Sequence, residues 1–147
     1  MLVELCPRGS LIDFLKRQGS LNNILAKHMI AEIIVSLEYL RENEIVHRDL
    51  KPGNIVLDQN YHIKLIDFAT CKVFNKDIQA KIAQFKSKND LLRSMGFNDD
   101  TEINVSSQDC RMNSLVGTEE YLAPETLSDM GELSYTCDYW SLGVILY

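Results

Sequence analysis

The chain has 147 residues, of which 46% are hydrophobic and 24% charged, and its formal net charge is −6 with a sequence pI near 5.0. This composition predicts one soluble globular domain, and it excludes disorder as the default state. No apolar run reaches the roughly eighteen residues of a membrane-spanning helix, so we expect no direct membrane insertion. The acidic balance argues against nucleic-acid binding, and the four scattered cysteines are expected to be reduced thiols. A cytoplasmic protein, or alternatively a nuclear one, is predicted.

The first predicted elements are two helices, over residues 10–17 and 27–41. The second helix repeats apolar residues at i, i+3, i+4, i+7 and i+10, namely Ile30, Ile33, Ile34, Leu37 and Leu40. This spacing predicts one buried helical face.

Short apolar bursts follow from residue 44 onwards. They lie at residues 45–46, 55–57 and 63–66, and a polar Asp58-Gln59-Asn60 segment separates the last two. The pattern predicts two short strands joined by a hairpin turn.

Residues 74–111 are polar, and their few apolar side chains lie roughly on one helical face: Ile78, Ile82, Phe85 and Leu92. We predict a loop insertion with one marginal amphipathic helix. A strongly apolar run then begins at Tyr139 and predicts a further helix.

The first chemical cluster is His47-Arg48-Asp49, with Asn54 five residues after the aspartate. Phosphoryl transfer to a hydroxyl needs a carboxylate that accepts the proton, a cation near the moving group and oxygen ligands for magnesium. Asp49, Lys51 and Asn54 supply one of each. Taken singly, each of these residues is more typical of an ordinary turn.

Three further clusters follow along the chain, and each is uninformative alone. Asp67-Phe68 follows an apolar burst, where an aspartate is more often a turn residue than a metal ligand. Gly117-Thr118-Glu119-Glu120-Tyr121-Leu122-Ala123-Pro124-Glu125 is the third cluster, and Asp138-Tyr139-Trp140-Ser141-Leu142-Gly143 is the fourth.

In this order, the clusters resemble the HRDLxxxN, DFG and APE signatures of protein kinases. The resemblance covers nearly the whole chain except residues 74–111. Leu50-Lys51-Pro52 with Thr118 resembles the serine/threonine branch, and residues 67–73 and 114–125 are similar to the AGC group, particularly phosphoinositide-dependent kinases. The resemblance implies an α+β, protein-kinase-like fold, here a mostly helical C-lobe fragment with short hairpin strands.

The resemblance also implies site roles. Asp49 would be the catalytic base, Lys51 a phosphate contact, and Thr118 a hydrogen-bonding partner near Asp49. Asn54 and Asp67 would be ligands for Mg²⁺. ATP and Mg²⁺ are the implied cofactors, and proteins with Ser or Thr hydroxyl groups are the implied substrates.

For adenine, the resemblance implies Val3 as gatekeeper, a hinge formed by Glu4, Leu5 and Cys6, and Val56 as the floor. His47 and Phe68 would stack between the lobes, which makes His47 structural. Asp138 would hold the backbone of the catalytic loop from below.

Regulation is implied at Ser114, three residues before Gly117. A phosphate there, added by an upstream kinase or by the protein itself, would be received by Arg48 and Lys72.

Two departures from the kinase pattern leave an alternative open. Ala69 replaces the glycine after Asp67-Phe68, which restricts positive φ. The chain contains no glycine-rich loop and no VAIK-type lysine, so the resemblance predicts a partial kinase domain, lacking the N-lobe and the end of the C-lobe and inactive alone. The leading hypothesis is a serine/threonine kinase; the alternative is a pseudokinase or binding module that docks partners without catalysis.

Overall fold

The computed structural model describes residues 4–94, 118–127 and 134–147. In this part of the chain, the helices are α1 (Leu11–Gln18), α2 (Asn23–Glu42), α3 (Lys76–Ser94) and α4 (Thr136–Leu146). The strands are β1 (Gly9–Ser10), β2 (Ile45–Val46), β3 (Ile55–Leu57), β4 (Ile63–Leu65) and β5 (Lys72–Val73). Single 3₁₀ turns lie at Pro52–Asn54, Glu119–Tyr121 and Pro124–Leu127. The α+β fold class is confirmed.

Helix α1 is fixed at both ends by local hydrogen bonds. Ser10 Oγ accepts from the Asp13 N–H at 3.3 Å and donates to Asp13 Oδ2 at 2.6 Å, which forms a reciprocal cap. Gly19, with φ of 79°, ends the helix and donates its N–H to the Leu15 carbonyl at 2.8 Å. The predicted helix over residues 10–17 is therefore confirmed to within one residue.

Helix α2 begins four residues before its predicted start. Asn22 Oδ1 accepts the Leu25 N–H at 2.8 Å, and this cap extends the helix to Asn23. The predicted buried face was partly wrong: Ile34 is 41% exposed and Ile30 only partly buried. The buried stripe follows a spacing of four, four and three residues, which places Ile34 at its edge: Met29, Ile33, Leu37 and Leu40.

The predicted hairpin is confirmed as β3 and β4, which pair antiparallel with Ile55 opposite Leu65 and Leu57 opposite Ile63. In the turn, Asp58 Oδ1 accepts from the backbone N–H groups of Asn60 at 2.7 Å and His62 at 2.9 Å. The Asp58 side chain thus gives a hydrogen-bond acceptor to two backbone N–H groups that would otherwise lack one in the turn.

Two small sheets flank residues 47–54, the segment predicted to be catalytic and called the catalytic segment below. β1 adds to the other edge of β3 and gives the strand order β1-β3-β4. β2 pairs antiparallel with β5, with Val46 opposite Lys72. Only the two hairpin strands were predicted as strands, because β1, β2 and β5 have two residues each and carry no periodic signal.

One hydrophobic core joins the helices to the hairpin. It contains residues from α1, α2, the catalytic segment, both hairpin strands and α4: Leu11, Phe14, Met29, Ile33, Leu37, Leu40, Leu50, Ile55, Leu57, Ile63 and Leu142. The segment that carries Asp49 is therefore packed against this core, since Leu50 is fully buried in it.

The helix predicted within the insertion is present as α3. α3 has 19 residues and starts after Asn75, whose Oδ1 accepts from the N–H groups of Asp77 and Ile78, both at 3.1 Å. On the predicted apolar face, Ile78 and Ile82 are partly buried, whereas Phe85 is 69% exposed. No helix in the described ranges is long and apolar enough to cross a membrane.

Candidate active site

The candidate site lies in the segment between β2 and β3. His47 and Leu50 are fully buried, and Asp49 and Asn54 are only 9% and 6% exposed to solvent. The 3₁₀ turn Pro52–Asn54 begins with the Asn54 N–H donating to the Lys51 carbonyl at 2.9 Å, and it leads directly into β3. The segment is therefore fixed at both ends by strands.

The Asp49 carboxylate is the centre of a hydrogen-bonded network. Its Oδ2 accepts from Lys51 Nζ at 2.7 Å and from Asn54 Nδ2 at 2.9 Å. Its Oδ1 accepts from both the backbone N–H and the hydroxyl of Thr118, each at 3.1 Å. Lys51 Nζ also donates to Thr118 Oγ1 at 2.7 Å. The structure therefore brings together all four residues predicted as catalytic.

These contacts determine the charge of Asp49. Burial raises the pKa of its carboxyl group, but hydrogen bonds from Lys51, Thr118 and Asn54 together with the Lys51 charge outweigh burial and hold the pKa below its ordinary value. Asp49 is thus ionised at neutral pH and able to accept a proton.

Asp138 holds the backbone of the catalytic segment from α4, as predicted. Its Oδ2 accepts the His47 N–H at 2.8 Å and its Oδ1 accepts the Arg48 N–H at 2.9 Å. Arg48 itself has a φ of 71°, in the left-handed region that residues with a Cβ rarely adopt. Burial raises the pKa of Asp138, and the two backbone bonds oppose that shift.

Cys137 directly precedes Asp138 in α4. Burial and the nearby Asp138 and Glu125 carboxylates raise the pKa of the Cys137 thiol to about 12. Cys137 is therefore an inert thiol at neutral pH, consistent with the expectation of reduced cysteines.

His47 stacks on Phe68 as predicted, with ring centroids 4.8 Å apart. Its Nδ1 accepts the Asp49 N–H at 3.3 Å, and its Nε2 lies 3.1 Å from the Ile66 carbonyl. Both ring nitrogens are engaged by backbone groups, which supports a structural role.

Asp67 follows β4, is exposed and has a φ of 62°. Its Oδ1 accepts the Ala69 N–H at 3.4 Å. Ala69 itself does not have a positive φ, so its Cβ is not strained in this conformation. The sequence-based concern about Ala69 does not apply to this backbone.

The predicted nucleotide residues are described only in part. Val3 lies outside the described residues. Glu4 Oε1 pairs with Lys64 Nζ at 3.2 Å, and Leu5 is 81% exposed. Cys6 and Val56 are partly buried, and Val56 lies in β3 between Ser10 and Lys64 of the neighbouring strands.

Of the two predicted regulatory cations, Lys72 lies within the β2–β5 pair and Arg48 lies just after it. Lys72 lies in β5 opposite Val46, and its Nζ is 5.5 Å from the centre of the Phe74 ring. Arg48 follows β2 by two residues. Ser114 lies outside the described residues.

Two supporting side chains were missed by the sequence analysis. Thr70 Oγ1 donates to the His47 carbonyl at 3.2 Å, and Ser141 Oγ lies 2.8 Å from the Tyr121 carbonyl. Each joins segments more than fifteen residues apart, a relation that no local sequence pattern carries.

Comparison with known proteins identifies the family. The protein kinase domain family matches residues 1–147. The chain belongs to the protein kinase family.

Among similar proteins, serine/threonine-protein kinase PKH2 of Saccharomyces cerevisiae is 37% identical over 99% of this chain, and the probable serine/threonine protein kinase IRE of Arabidopsis thaliana is 39% identical over 100%. The 3-phosphoinositide-dependent protein kinase 1 of Rattus norvegicus is 33% identical over 95%. The predicted resemblance to AGC-type serine/threonine kinases is thereby confirmed. The chain spans 12% of the first two relatives and 20% of the third.

Proposed function

We propose that the protein to which these residues belong is a serine/threonine kinase that transfers the γ-phosphoryl group of ATP to protein hydroxyl groups. The observation that carries this proposal is the Asp49 carboxylate, held by Lys51, Asn54 and Thr118 at 2.7–3.1 Å.

The chain would supply one part of a kinase domain. In this proposal, it contains the hinge, the catalytic loop, an activation segment with an insertion at residues 74–111, and the start of the buried helix after Ala123-Pro124-Glu125. ATP-binding elements outside these residues would complete the site.

Each side chain has a defined task in the reaction. Asp49 orients the substrate hydroxyl and accepts its proton as the oxygen–phosphorus bond forms and the bond to the leaving ADP oxygen breaks. Lys51 lies 2.7 Å from Asp49 and contributes positive charge near the transferring phosphoryl group.

The residues present fit a magnesium ion. Asn54 donates to Asp49 through Nδ2, so its Oδ1 is the atom available as a metal ligand, and Asp67 offers carboxylate oxygens. Magnesium held by these residues would supply positive charge that stabilises the negative charge of the transition state.

The test is Asp49→Asn in the full-length protein, assayed with ATP, Mg²⁺ and a generic protein substrate. Turnover should fall at least ~100-fold, the usual effect of losing a positioned general base, with nucleotide binding little changed. Asp77→Asn is the matched control, because Asp77 is exposed on α3. Equal turnover in the parent and in Asp49→Asn would overturn the role of Asp49. A parent without turnover that still binds protein partners would favour the binding module instead.

We also propose that Ser114 is an activating phosphosite received by Arg48 and Lys72. A phosphate adds about −1.5 to −2 charges, and each charge-assisted hydrogen bond contributes roughly 1.5–3 kcal/mol. Support comes from the β2–β5 pairing, which holds Lys72 opposite Val46, two residues before Arg48. Phosphosite mapping of the active protein should show a modified Ser114, and Ser114→Ala should lose activity. Ser106→Ala is the control and should keep its activity. Full activity of Ser114→Ala would contradict the proposal.

A further inference from the structure

A cluster of three potential ligands lies outside the candidate active site. His28 and Glu32 are four residues apart on α2, and His62 lies at the end of the hairpin turn, directly before β4. The ligand atoms of all three side chains lie within 4.8 Å of one another. Glu32 Oε1 is 3.4 Å from His28 Nε2 and 2.5 Å from His62 Nδ1.

The fold holds each member of this cluster in place. The i,i+4 spacing puts His28 and Glu32 on one face of α2. The Asp58 carboxylate fixes the backbone of His62, whose N–H it accepts at 2.9 Å. Glu32 Oε2 accepts the Ile63 N–H at 2.9 Å, which turns Oε1 towards both rings. A ligating carboxylate oriented by a backbone donor is typical of metal sites.

We propose that His28, Glu32 and His62 form a binding site for a divalent transition metal of the Zn²⁺ class. Two imidazoles and one carboxylate are a ligand set that zinc accepts, whereas Mg²⁺ prefers oxygen ligands alone. In tetrahedral zinc sites with bonds of about 2.0–2.1 Å, neighbouring donors are roughly 3.3 Å apart. The Glu32–His28 separation of 3.4 Å is close to this value, whereas the 2.5 Å between Glu32 Oε1 and His62 Nδ1 would have to lengthen for an ion to bind.

The site has room for a fourth ligand. The side chains of His28 and His62 are 45% and 55% exposed, and that of Glu32 is 26% exposed. Water therefore completes the coordination. The ion would join α2 to the β3–β4 hairpin, which leads to Asp67 through β4.

The competing interpretation is a hydrogen-bonded His–Glu–His cluster without an ion. It predicts the same contacts in the metal-free protein, so the two differ only in metal affinity. Catalytic activity is not needed to separate them, and the test stands apart from the proposed kinase reaction.

The experiment uses the full-length protein, freed of metal with a chelator and titrated with ZnCl₂ against a chromophoric competitor. His28→Ala should remove one equivalent of bound Zn²⁺ or weaken it at least ~10-fold, since even indirect partners of a metal contribute this much. His28 is exposed and its described contacts are to Glu32 and His62, so the variant should fold. Glu38→Gln, an exposed change on the same helix, should leave binding unchanged.

Spectroscopy with Co²⁺ separates this site from cysteine sites. Cobalt bound by His28, Glu32 and His62 should show tetrahedral absorption bands without a thiolate charge-transfer band, and His62→Ala should abolish them. Circular dichroism of each variant checks that the fold is retained. Zinc and cobalt binding that is identical in the parent, His28→Ala and His62→Ala would overturn the proposal.

Discussion

Both oxygens of the Asp49 carboxylate are engaged by the surrounding residues. Oδ2 accepts hydrogen bonds from Lys51 Nζ and Asn54 Nδ2, and Oδ1 accepts them from the backbone N–H and the hydroxyl of Thr118. A carboxylate offers about four acceptor sites, so a substrate hydroxyl must replace one of these donors. The Thr118 hydroxyl is the donor best placed to withdraw, because the Thr118 N–H keeps its bond to Oδ1 and Lys51 also holds Oγ1.

This arrangement predicts a specific need for the Thr118 hydroxyl. In the full-length protein, Thr118→Val should lower turnover by about tenfold or more, because it removes the hydroxyl that accepts from Lys51 Nζ at 2.7 Å, and a hydrogen bond to a charged group contributes roughly 1.5–3 kcal/mol. Thr118→Ser keeps the hydroxyl and should retain most of the turnover. Steady-state assays of both variants make the comparison, and equal rates would show that the hydroxyl is dispensable.

Ala69 gives a second prediction at the same scale. Since Ala69 lies outside positive φ, Ala69→Gly should retain activity or raise it, and it should lower the free energy of unfolding by about 0.4–1 kcal/mol through greater freedom of the unfolded chain. Kinase assays with urea unfolding of the full-length protein measure both quantities. An inactive but folded glycine variant would mean that the alanine is itself required.

The grouping of residues around Asp49 was predictable from sequence because these residues lie within short motifs. His47 to Asn54 form one continuous segment, and Thr118 and Asp138 belong to motifs of their own. By contrast, Glu32 and His62 are 30 positions apart in no motif. Only the packing of the hairpin against α2 brings them together, although the His28–Glu32 spacing was visible.

At the scale of elements, Asp138 couples α4 to the catalytic segment. Asp138→Asn should destabilise the full-length protein by about 1–3 kcal/mol, because the amide NH₂ cannot accept and one buried backbone N–H of His47 or Arg48 loses its partner. Unfolding by denaturant gives the energy, and hydrogen exchange should show faster exchange at these two amides. Asp77→Asn serves as the control, and unchanged exchange would contradict this coupling.

Elements with a strong periodic or turn signal were predicted best. The β3–β4 hairpin and α1 agree with the structure, because the Asp58 turn and the Ser10 cap are local. The start of α2 was missed because the Asn22 cap outweighed the weak periodicity before Lys27. The bounds of α3 were not predicted, since its polar sequence gives little amphipathic signal.

At the scale of the whole molecule, the 147 residues expressed alone should transfer no phosphate to a generic protein substrate. They contain no glycine-rich loop and no VAIK-type lysine, the parts that hold ATP phosphates in this family. Large apolar side chains are also exposed in the described residues, including Val35 and Tyr39 on α2 and Trp140 on α4, and should promote association. A radiolabelled transfer assay and size-exclusion chromatography test both statements, and measurable transfer would contradict the first.

The bond between Asp138 and the His47 N–H has a consequence for synthesis on the ribosome. The two residues are 91 positions apart, and translation adds about 5–20 residues per second. Roughly 5–18 s therefore pass between the emergence of His47 and that of its acceptor. During this interval α1, α2 and the β3–β4 hairpin can form from their own residues, but the backbone N–H groups of His47 and Arg48 lack their Asp138 acceptor. The final conformation of this segment is consequently a late event in the life of the nascent chain, and it depends on α4 having left the exit tunnel.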